Sequence, residues 1–515
     1  MAAIERQAQE VCGVSVPALM LRAGAAAAEV ARRLLRRRGG RRVVVLIGKG
    51  NNGGDGLVAA RELEGDAAVT AMLVVPPESL GGEPAAHLAA LRERPVHIEA
   101  SAALDGPALE AALSESDLIV DAIFGTGFRG PAQGEPARVI QAANGSDVPI
   151  LAVDVPSGID AATGRADPPC VQAAATVTMG LAKRGLVQYP AAARAGTLYV
   201  ADIGLPRSIV DAAPIPAALV TGPWVNRTLP ARPADSQKGQ FGRVALVAGA
   251  RGFVGAAVLA ARGAIRTGAG LVTVGLPASL ATVPAGSLPE AMTRALPETP
   301  EGTVAFRALD EILEWVSGSS VLAIGPGLTM HPEVGALVRG LLTRLDRPLV
   351  ADADALNLLA GEPDRLRELS VPAVITPHPG EMARLLGQEI PDVQRDRVET
   401  ARSAAGRFGV VVVLKGARTV VASPDGRAMV VPTGNAAMAT GGMGDVLTGA
   451  VAALLASEIP ALEAAASAAY LHGRAGDLAA AAELGLLAHE VADAIPRALR
   501  RVRECAADDG IVLVP

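Results

Sequence analysis

Residues 41–56 read RRVVVLIGKGNNGGDG, a run of β-branched residues that ends in a glycine-rich turn. A buried strand, a glycine turn and an Ala-rich helical stretch in this order are typical of the first unit of a parallel α/β sheet. Similar runs follow at VTAMLVV (69–75), DLIVDAIFG (117–125) and VPILAVDVPSG (148–158), and AATVTMG and GTLYVADIG end the pattern near residue 205. This part of the chain is therefore predicted to form parallel strands with crossover helices.

The rhythm restarts after a proline-rich stretch without hydrophobic period, which we interpret as an interdomain connection over 212–238. The later runs are GRVALVAGA (242–250), GAGLVTVGLP (268–277), SSVLAIGPG (319–327), RPLVADADALN (347–357), PAVITPHPGE (372–381) and GVVVVLKG (409–416). In both halves polar and glycine-rich residues follow the strands, at the edge where open α/β sheets bind ligands. The predicted fold class is α/β, with two tandem three-layer αβα domains.

Length and composition exclude several classes of protein. The 515 residues, half of them hydrophobic and 19% charged, suffice for about three ordinary folded domains or two large ones. Eleven aromatic residues and a net charge of −6 provide neither stacking platforms nor a basic surface for nucleic acid. Charged residues interrupt the amino end where a signal peptide needs an apolar core, and no long apolar stretch follows. Cys12, Cys170 and Cys505 lack disulfide or zinc spacing, so we expect a cytoplasmic protein without a membrane partner.

Lysine is rare in this chain. Of the 47 basic residues only four are lysine, and all lie in glycine-containing, turn-like stretches: Lys49, Lys183, Lys238 and Lys415. A compact, flexible ammonium differs from a planar guanidinium in what it can reach and bind. The pattern indicates positions where lysine is needed, although chance is the alternative.

The turn after the first strand carries polar residues suited to a ligand. Gly48, Gly50 and Gly53 satisfy GxGxxG, but this signal is weak, because FGTGFRG at 124–130 matches it as well. Two asparagines and Asp55 in the turn do not suit a dinucleotide pyrophosphate. Oxygen donors also end neighbouring strands, and we predict that they form a site for an alkali or alkaline-earth cation at Asn52, Asp121 and Ser157. Asp154 remains as a candidate acid or base, and helix capping is the alternative for each polar residue.

GKGNNGGDG, DAIFGTGFRG and DVPSGID, in this order and spacing, resemble the NAD(P)H-hydrate epimerase domain over residues 1–215. The resemblance implies a Rossmann-like fold and a potassium ion on Asn52, Asp121 and Ser157. It further implies that Asp154 contacts a hydrated nicotinamide nucleotide as a catalytic residue, together with Asn51, Asn52, Gly53, Gly54, Asp55, Gly125, Thr126, Gly127, Phe128, Arg129, Gly130 and Pro131. One residue departs from the family pattern: Leu21 stands where a glutamate is expected.

The second half has a phosphoryl-transfer pattern of its own. TGGMGDVLTGAVAALLA at 440–456 places glycines before a helix, so that backbone amides can bind an anion while Asp445 accepts a proton from a hydroxyl. A glycine turn with a capping aspartate is the alternative. The segment Lys415 to Thr419 lies at the end of a strand, where it could contact a nucleotide phosphate. His378 and Glu381 occupy a strand-to-helix turn. No Walker A sequence is present.

Several motifs in order, among them AIGPGL, DADALN, TPHPGE, LKGART and GGMGD, resemble the ADP-dependent NAD(P)H-hydrate dehydratase domain over residues 225–515. This resemblance implies a ribokinase-like fold. It implies that the hydrate faces Ala256, Gly327, His378 and the catalytic Asp445. It also implies that ADP meets Lys415, Gly416, Ala417, Arg418, Thr419 and Gly444.

Together the resemblances imply metabolite repair. The amino-terminal domain would interconvert the R and S hydrates of NADH and NADPH, and the other would dehydrate the S form with ADP, giving NAD(P)H, AMP and phosphate. Potassium and Mg²⁺ are the expected ions, NAD(P)H hydrate and ADP the expected substrates, and a homo-oligomer the expected assembly. Three alternatives remain: a small-molecule kinase with an accessory domain, a NAD-dependent oxidoreductase, and an amino-terminal half that binds without catalysis.

Overall fold

The computed structural model describes residues 1–215, 217–482, 484–504 and 511–514. The chain divides into two compact units. The first comprises Met1–Ile215 together with the strand Ile511–Val514, and the second lies within Pro216–Asp509. Cys505 lies outside the described residues.

The first unit is built on eight strands, all parallel. They are β1 (Arg42–Ile47), β2 (Ala68–Leu73), β3 (His97–Ala100), β4 (Leu118–Ala122), β5 (Ile150–Val153), β6 (Ala175–Met179), β7 (Thr197–Ala201) and β18 (Ile511–Val514). The helices are α1 (Ala2–Cys12), α2 (Val16–Arg38), α3 (Asn51–Leu63), α4 (Gly82–Leu91), α5 (Gly106–Ser114), α6 (Gly134–Gly145) and α7 (Arg207–Ala212).

Strand β1 shows how this unit buries both faces of its sheet. Val43, Val45 and Ile47 belong to the apolar core on one face, whereas Val44 and Leu46 belong to the core on the other. Covered faces explain the nearly continuous hydrophobic runs in the sequence. The strand order β18-β7-β6-β5-β4-β1-β2-β3 reverses direction between β1 and β4. Ligands of open α/β sheets bind at such a reversal.

The second unit has a ten-stranded sheet in the order β11-β10-β9-β12-β13-β14-β15-β16-β17-β8. Its strands are β8 (Ala217–Leu219), β9 (Arg243–Val247), β10 (Leu271–Pro277), β11 (Met292–Leu296), β12 (Val321–Ile324), β13 (Leu349–Ala351), β14 (Ala373–Ile375), β15 (Val411–Leu414), β16 (Val420–Ala422) and β17 (Ala428–Val430). Only the β15–β16 and β16–β17 pairs among these described strands are antiparallel. The direction of the order reverses between β9 and β12.

Eleven helices of the described residues accompany this sheet. They are α8 (Gly222–Thr228), α9 (Val254–Thr267), α10 (Leu309–Ser317), α11 (Pro332–Arg344), α12 (Asp354–Leu359), α13 (Pro379–Leu386), α14 (Ile390–Arg395), α15 (Arg397–Phe408), α16 (Met443–Ala456), α17 (Ala461–Ala479) and α18 (Ala488–Arg503). The apolar α16 packs against α9 and α17. The tandem α/β architecture predicted from the sequence is confirmed.

Two details of the predicted organisation are wrong. The expected connection at 212–238 contains β8 and α8, which belong to the second unit. The sequence did not reveal β8, because a three-residue edge strand leaves no hydrophobic period. The chain end assigned to the second domain, up to residue 515, includes β18, which pairs in parallel with β7 of the first unit. The sequence of a four-residue strand does not indicate which sheet the strand joins.

Candidate active sites

A cavity of about 720 Å³ opens in the first unit where the strand order reverses. Its wall combines α1 and α2, the turn after β1 with the start of α3, the loop after β4, and residues at or just after the ends of β5, β6 and β7. Among the predicted substrate residues, the wall includes Asn51, Asn52, Asp55, Gly125, Thr126, Gly127, Phe128, Arg129 and Asp154. The phenyl ring of Phe128 stacks on that of Phe124, with 4.3 Å between their centroids. Most of the predicted residues therefore meet at one cavity.

Four predicted substrate residues lie outside this wall. Gly53 and Gly54 are buried in the first turn of α3, where a Cβ on Gly53 would lie 2.0 Å from the Gly48 carbonyl oxygen. Their role in the structure is to let the loop and helix approach closely. Gly130 and Pro131 are exposed beyond the part of the loop that lines the cavity.

The three predicted cation ligands form one buried cluster. The Ser157 hydroxyl donates to Asp121 Oδ1 at 2.6 Å, and the Ser157 amide donates to Asp121 Oδ2 at 2.8 Å. Asn52 donates through Nδ2 to the Phe124 carbonyl at 2.9 Å, while its buried Oδ1 has no hydrogen-bond partner among the described residues. Burial raises the pKa of Asp121 to about 6, although the bonds from Ser157 act in the opposite direction. The orphaned amide oxygen and the buried carboxylate are the donor types that a hard cation prefers.

Asp154 is held at the cavity wall by a lysine that the sequence analysis did not assign to the site. The Lys183 ammonium donates to Asp154 Oδ1 and, at 2.7 Å, to the Met179 carbonyl, and its side chain is only 6% exposed. The Met179 amide also donates to Asp154 Oδ1, at 3.1 Å. Asp154 has a φ of 64°, which is uncommon for a residue other than glycine and frequent at functional sites. The scarcity of lysine was the one sequence signal for Lys183.

A second carboxyl group faces the same cavity. Asp55 makes no hydrogen bond through its side chain among the described residues. Burial, with added repulsion from Asp154 and Glu5, raises the pKa of Asp55 well above its ordinary value, while Lys183 opposes the shift. Two carboxyl groups with unlike surroundings in one cavity are suited to different proton-transfer roles.

In the second unit the predicted base lies at the start of α16. Gly442 has a φ of 89° and precedes the helix, and Asp445 lies in its first turn. Burial raises the pKa of Asp445 to about 7, with Asp352 adding to the shift and Lys415 opposing it. A carboxyl group that titrates near neutral pH can accept a proton in catalysis.

Lys415 lies beside Asp445 within a network of buried carboxylates. Its ammonium donates to Asp352 Oδ1 at 2.6 Å and lies 3.6 Å from Glu381 Oε2. Burial alone would lower the pKa of Lys415, but Asp352 and Glu381 outweigh it and hold the pKa above its ordinary value. Thr448 donates to Asp352 Oδ2 at 2.6 Å. Asp352 and Thr448 were not predicted, because burial cannot be read from DADALN or from an apolar helix.

The remaining predicted residues surround this network. A Cβ on Gly444 would lie 3.2 Å from Lys415 Nζ, and one on Gly327 would lie 3.2 Å from the Ala256 Cβ. The Lys415 ammonium therefore lies near the residue before Asp445, and Ala256 lies near Gly327, which follows β12 where the strand order reverses. Contacts of these residues with hydrate or ADP remain predictions.

His378 acts as a helix cap. Its Nδ1 accepts hydrogen bonds from the amides of Gly380 at 3.0 Å and Glu381 at 3.3 Å at the start of α13. Burial lowers the pKa of His378, and Glu381 partly offsets this effect. The other ring nitrogen, Nε2, lies 3.4 Å from Glu381 Oε1, and the His378 side chain is 49% exposed. The predicted contact with the hydrate would have to use this nitrogen.

Leu21, the departure from the family pattern, lies on α2 and is 39% exposed. It is not among the residues that line the cavity, whereas Leu19 and Met20 are. Among the described residues no helix combines the length and the apolar character needed to cross a membrane.

Comparison with known proteins accounts for both units. Residues 16–185 match the family described as YjeF-related protein N-terminus, and residues 244–497 match the NAD(P)H-hydrate dehydratase family. The chain is 43% identical to a bifunctional NAD(P)H-hydrate repair enzyme of Moorella thermoacetica over 469 residues, which cover 89% of this chain and 87% of that protein. Identity to the enzyme of the same name in Escherichia coli K12 is 36% over 428 residues, covering 83% and 78%.

A solved structure is also similar. It is the ADP/ATP-dependent NAD(P)H-hydrate dehydratase of Bacillus subtilis co-crystallised with ATP and Mg²⁺, with 34% identity and a TM-score of 0.48, covering 55% of this chain and 98% of that one. The matches to full-length relatives favour a repair enzyme over a kinase with an accessory domain or an oxidoreductase. The chain belongs to the family of bifunctional NAD(P)H-hydrate repair enzymes.

Proposed function

We propose that the first unit interconverts the R and S hydrates of NADH and NADPH, and that the second dehydrates the S form with ADP. The observation that carries the second activity is the half-buried Asp445, whose pKa is raised to about 7 at the glycine-rich start of α16. A base with this pKa is half ionised near neutral pH and still basic enough to accept a hydroxyl proton.

The dehydration proceeds in two chemical steps. Asp445 accepts the proton of the hydrate hydroxyl while the hydroxyl oxygen bonds to the β-phosphorus of ADP. The bond between the β-phosphorus and the oxygen that bridges it to the α-phosphate breaks, and AMP is released. The phosphate then leaves with the carbon–oxygen electron pair. The neighbouring ring carbon loses a proton to the departing phosphate, and the electron pair of its carbon–hydrogen bond forms the double bond of NAD(P)H.

The nucleotide would lie against Lys415, Gly416, Ala417, Arg418, Thr419 and Gly444. The described residues contain no cluster of three or more acidic, histidine or cysteine side chains able to hold a metal by themselves. Mg²⁺ would therefore be bound mainly by the phosphates of ADP, whose charge it would neutralise. The Lys415 ammonium donates to Asp352, so Lys415 would interact with ADP through its backbone and through its positive charge at a distance.

In the first unit the hydrate would occupy the 720 Å³ cavity with its reactive ring at Asp154. Lys183 forms an ion pair with Asp154, the candidate proton acceptor. Asp55, with its raised pKa, would be the proton donor for the hydroxyl of the hydrate. Asn52, Asp121 and Ser157 would hold potassium, which would supply positive charge next to the bound nucleotide. A homo-oligomeric assembly and a cytoplasmic location remain predictions.

Absorbance of the reduced nicotinamide, followed on a mixture of both hydrate epimers with potassium and Mg²⁺, tests both activities. We expect full recovery with ADP and none without nucleotide, and an ATP arm measures whether ATP replaces ADP. With Asp154→Asn, recovery should stop once the S epimer is consumed, apart from slow spontaneous epimerisation. If Asp154→Asn epimerises like the unmodified protein, the first unit does not use Asp154. If the unmodified protein leaves the R epimer unconverted, the first unit only binds. Absence of recovery with either nucleotide refutes the proposed dehydration.

A further inference from the structure

Arg397, the first residue of α15, carries a buried charge that the proposed chemistry does not yet use. Arg397 is only 6% exposed. The guanidinium donates to the carbonyls of Leu414 at 2.9 Å and Lys415 at 3.1 Å, and to Gln394 Oε1 at 2.6 Å. Its Nε has no hydrogen-bond partner among the described residues.

The charge of Arg397 is not neutralised by the protein. Among the described residues no carboxylate forms an ion pair with it, and burial, the sole cause, lowers its pKa to about 10. The buried lysines differ, because Lys183 pairs with Asp154 and Lys415 with Asp352. A buried cation without a counter-charge destabilises the folded protein. An anionic ligand nearby would supply the missing charge.

The position of Arg397 determines which way the loop after β15 presents its amides. The Lys415 carbonyl points toward the guanidinium, and in a planar trans peptide the following N–H points the opposite way. The Gly416 amide therefore faces away from Arg397. Neither this amide nor that of Ala417 has a hydrogen-bond partner among the described residues. Gly416 has a φ of 136°, and a Cβ on it would lie 3.2 Å from Arg397 Nη2, so the arrangement requires glycine.

Free amides on one side of a peptide and an uncompensated cation on the other form a site for a polyanion. We propose that Arg397 is a positioning residue for the diphosphate of the nucleotide. It holds the carbonyls of residues 414 and 415 inward, turns the next amides toward the phosphates, and supplies charge that favours a diphosphate over an uncharged nucleoside. This inference rests on the proposed nucleotide site at Lys415–Thr419 and adds to it the residue that selects for phosphate.

Calorimetric titration of the full-length protein with ADP, AMP and adenosine tests the inference. For Arg397→Met we expect the Kd for ADP to rise about tenfold or more, with the Kd for adenosine unchanged within about twofold. AMP should be affected to an intermediate degree. Arg407→Met removes the same charge from the exposed end of α15, where Arg407 pairs with Asp364, and should leave all three affinities unchanged. In steady-state kinetics the KM for ADP should rise more than kcat falls.

Arg397→Lys distinguishes a role in phosphate binding from a role that only supports the fold. It keeps the charge but loses the fork that binds two carbonyls, so we expect ADP affinity between those of the unmodified protein and Arg397→Met. Equal weakening of ADP and adenosine would show that Arg397 only supports the fold and would overturn the inference. If Arg397→Met unfolds, the ratio of ADP to adenosine affinity in Arg397→Lys decides the matter, and an unchanged ratio refutes it. A lack of ADP binding by the unmodified protein refutes the proposed function instead.

Discussion

Both units place a lysine that is mostly shielded from solvent on an aspartate, at the carboxyl ends of parallel strands, but the paired aspartate differs in position. In the first unit Lys183 pairs with Asp154, which itself lines the cavity. In the second, Lys415 pairs with Asp352, which is 1% exposed and also accepts from Thr448, while the candidate base Asp445 is a neighbour. One lysine thus compensates the reactive group directly, and the other adjusts it through the field of a fixed ion pair.

This difference has a chemical consequence. A carboxylate paired with an ammonium is stabilised in its charged form, whereas a buried carboxyl group beside an already paired anion resists ionisation. The pKa of Asp445 is accordingly raised to about 7, by burial first and then by Asp352. The two units therefore surround their candidate proton acceptors with opposite electrostatic arrangements, and variants can separate them.

The largest effect is expected for Asp445→Asn. Removing a general base typically costs 10²–10⁴-fold in rate, so dehydration with ADP should fall by roughly three orders of magnitude. Epimerisation should be unchanged, because Asp154 and its cavity lie in the other unit. Recovery of reduced nicotinamide from the pure S epimer measures the loss. Asp310→Asn, at an exposed aspartate, is the control. Retention of more than a tenth of the activity in Asp445→Asn would remove Asp445 from the mechanism.

Lys183→Met should damage the first unit alone. It leaves the half-buried Asp154 at the cavity wall without its cation, and we expect epimerisation to fall about 100-fold and this unit to lose about 3 kcal/mol of stability. Urea unfolding and conversion of the R epimer measure the two effects, with the exposed Lys238→Met as control. The double variant Lys183→Met with Asp154→Asn should regain part of the stability but none of the activity. Equal stability in the single and double variants would contradict a direct pair.

The pH dependence of dehydration tests the indirect arrangement. Asp445 must be ionised to accept a proton, so kcat should rise with pH through about 7 and level off above it. Lys415 lowers the pKa of Asp445, and Lys415→Met should therefore move the midpoint upward by about one pH unit or more. Rates at saturating ADP from pH 5.5 to about 9 give both midpoints. A midpoint that stays fixed, or falls, in Lys415→Met would show that the buried network does not set the ionisation of Asp445.

Much of the architecture and part of each site could be predicted from the sequence, because strands, turns and strand-end polar residues are local features. Asn52 and Ser157 follow β1 and β5, and Asp121 lies near the end of β4 between them, so their convergence follows from the topology. Burial and long-range pairing could not be predicted. Lys183 reaches Asp154 across 29 residues, and Arg397 is one of 43 arginines without a distinguishing motif. The strand β18 joins a sheet whose other members lie hundreds of residues away.

The smallest effect is expected for Leu21→Glu, which introduces the glutamate that the family resemblance leads us to expect at this position. Leu21 is 39% exposed on α2 and outside the cavity wall, so a glutamate there should change epimerisation by less than about twofold. Leu19→Glu, two residues earlier, is the matched contrast: Leu19 is 8% exposed and lines the cavity. A carboxylate in that wall should cost tenfold or more, through burial of a charge beside Asp55 and Asp154. A gain of tenfold or more from Leu21→Glu would show that the first unit of this chain lacks a functional carboxylate, and that the Asp154–Lys183 pair alone does not complete its site.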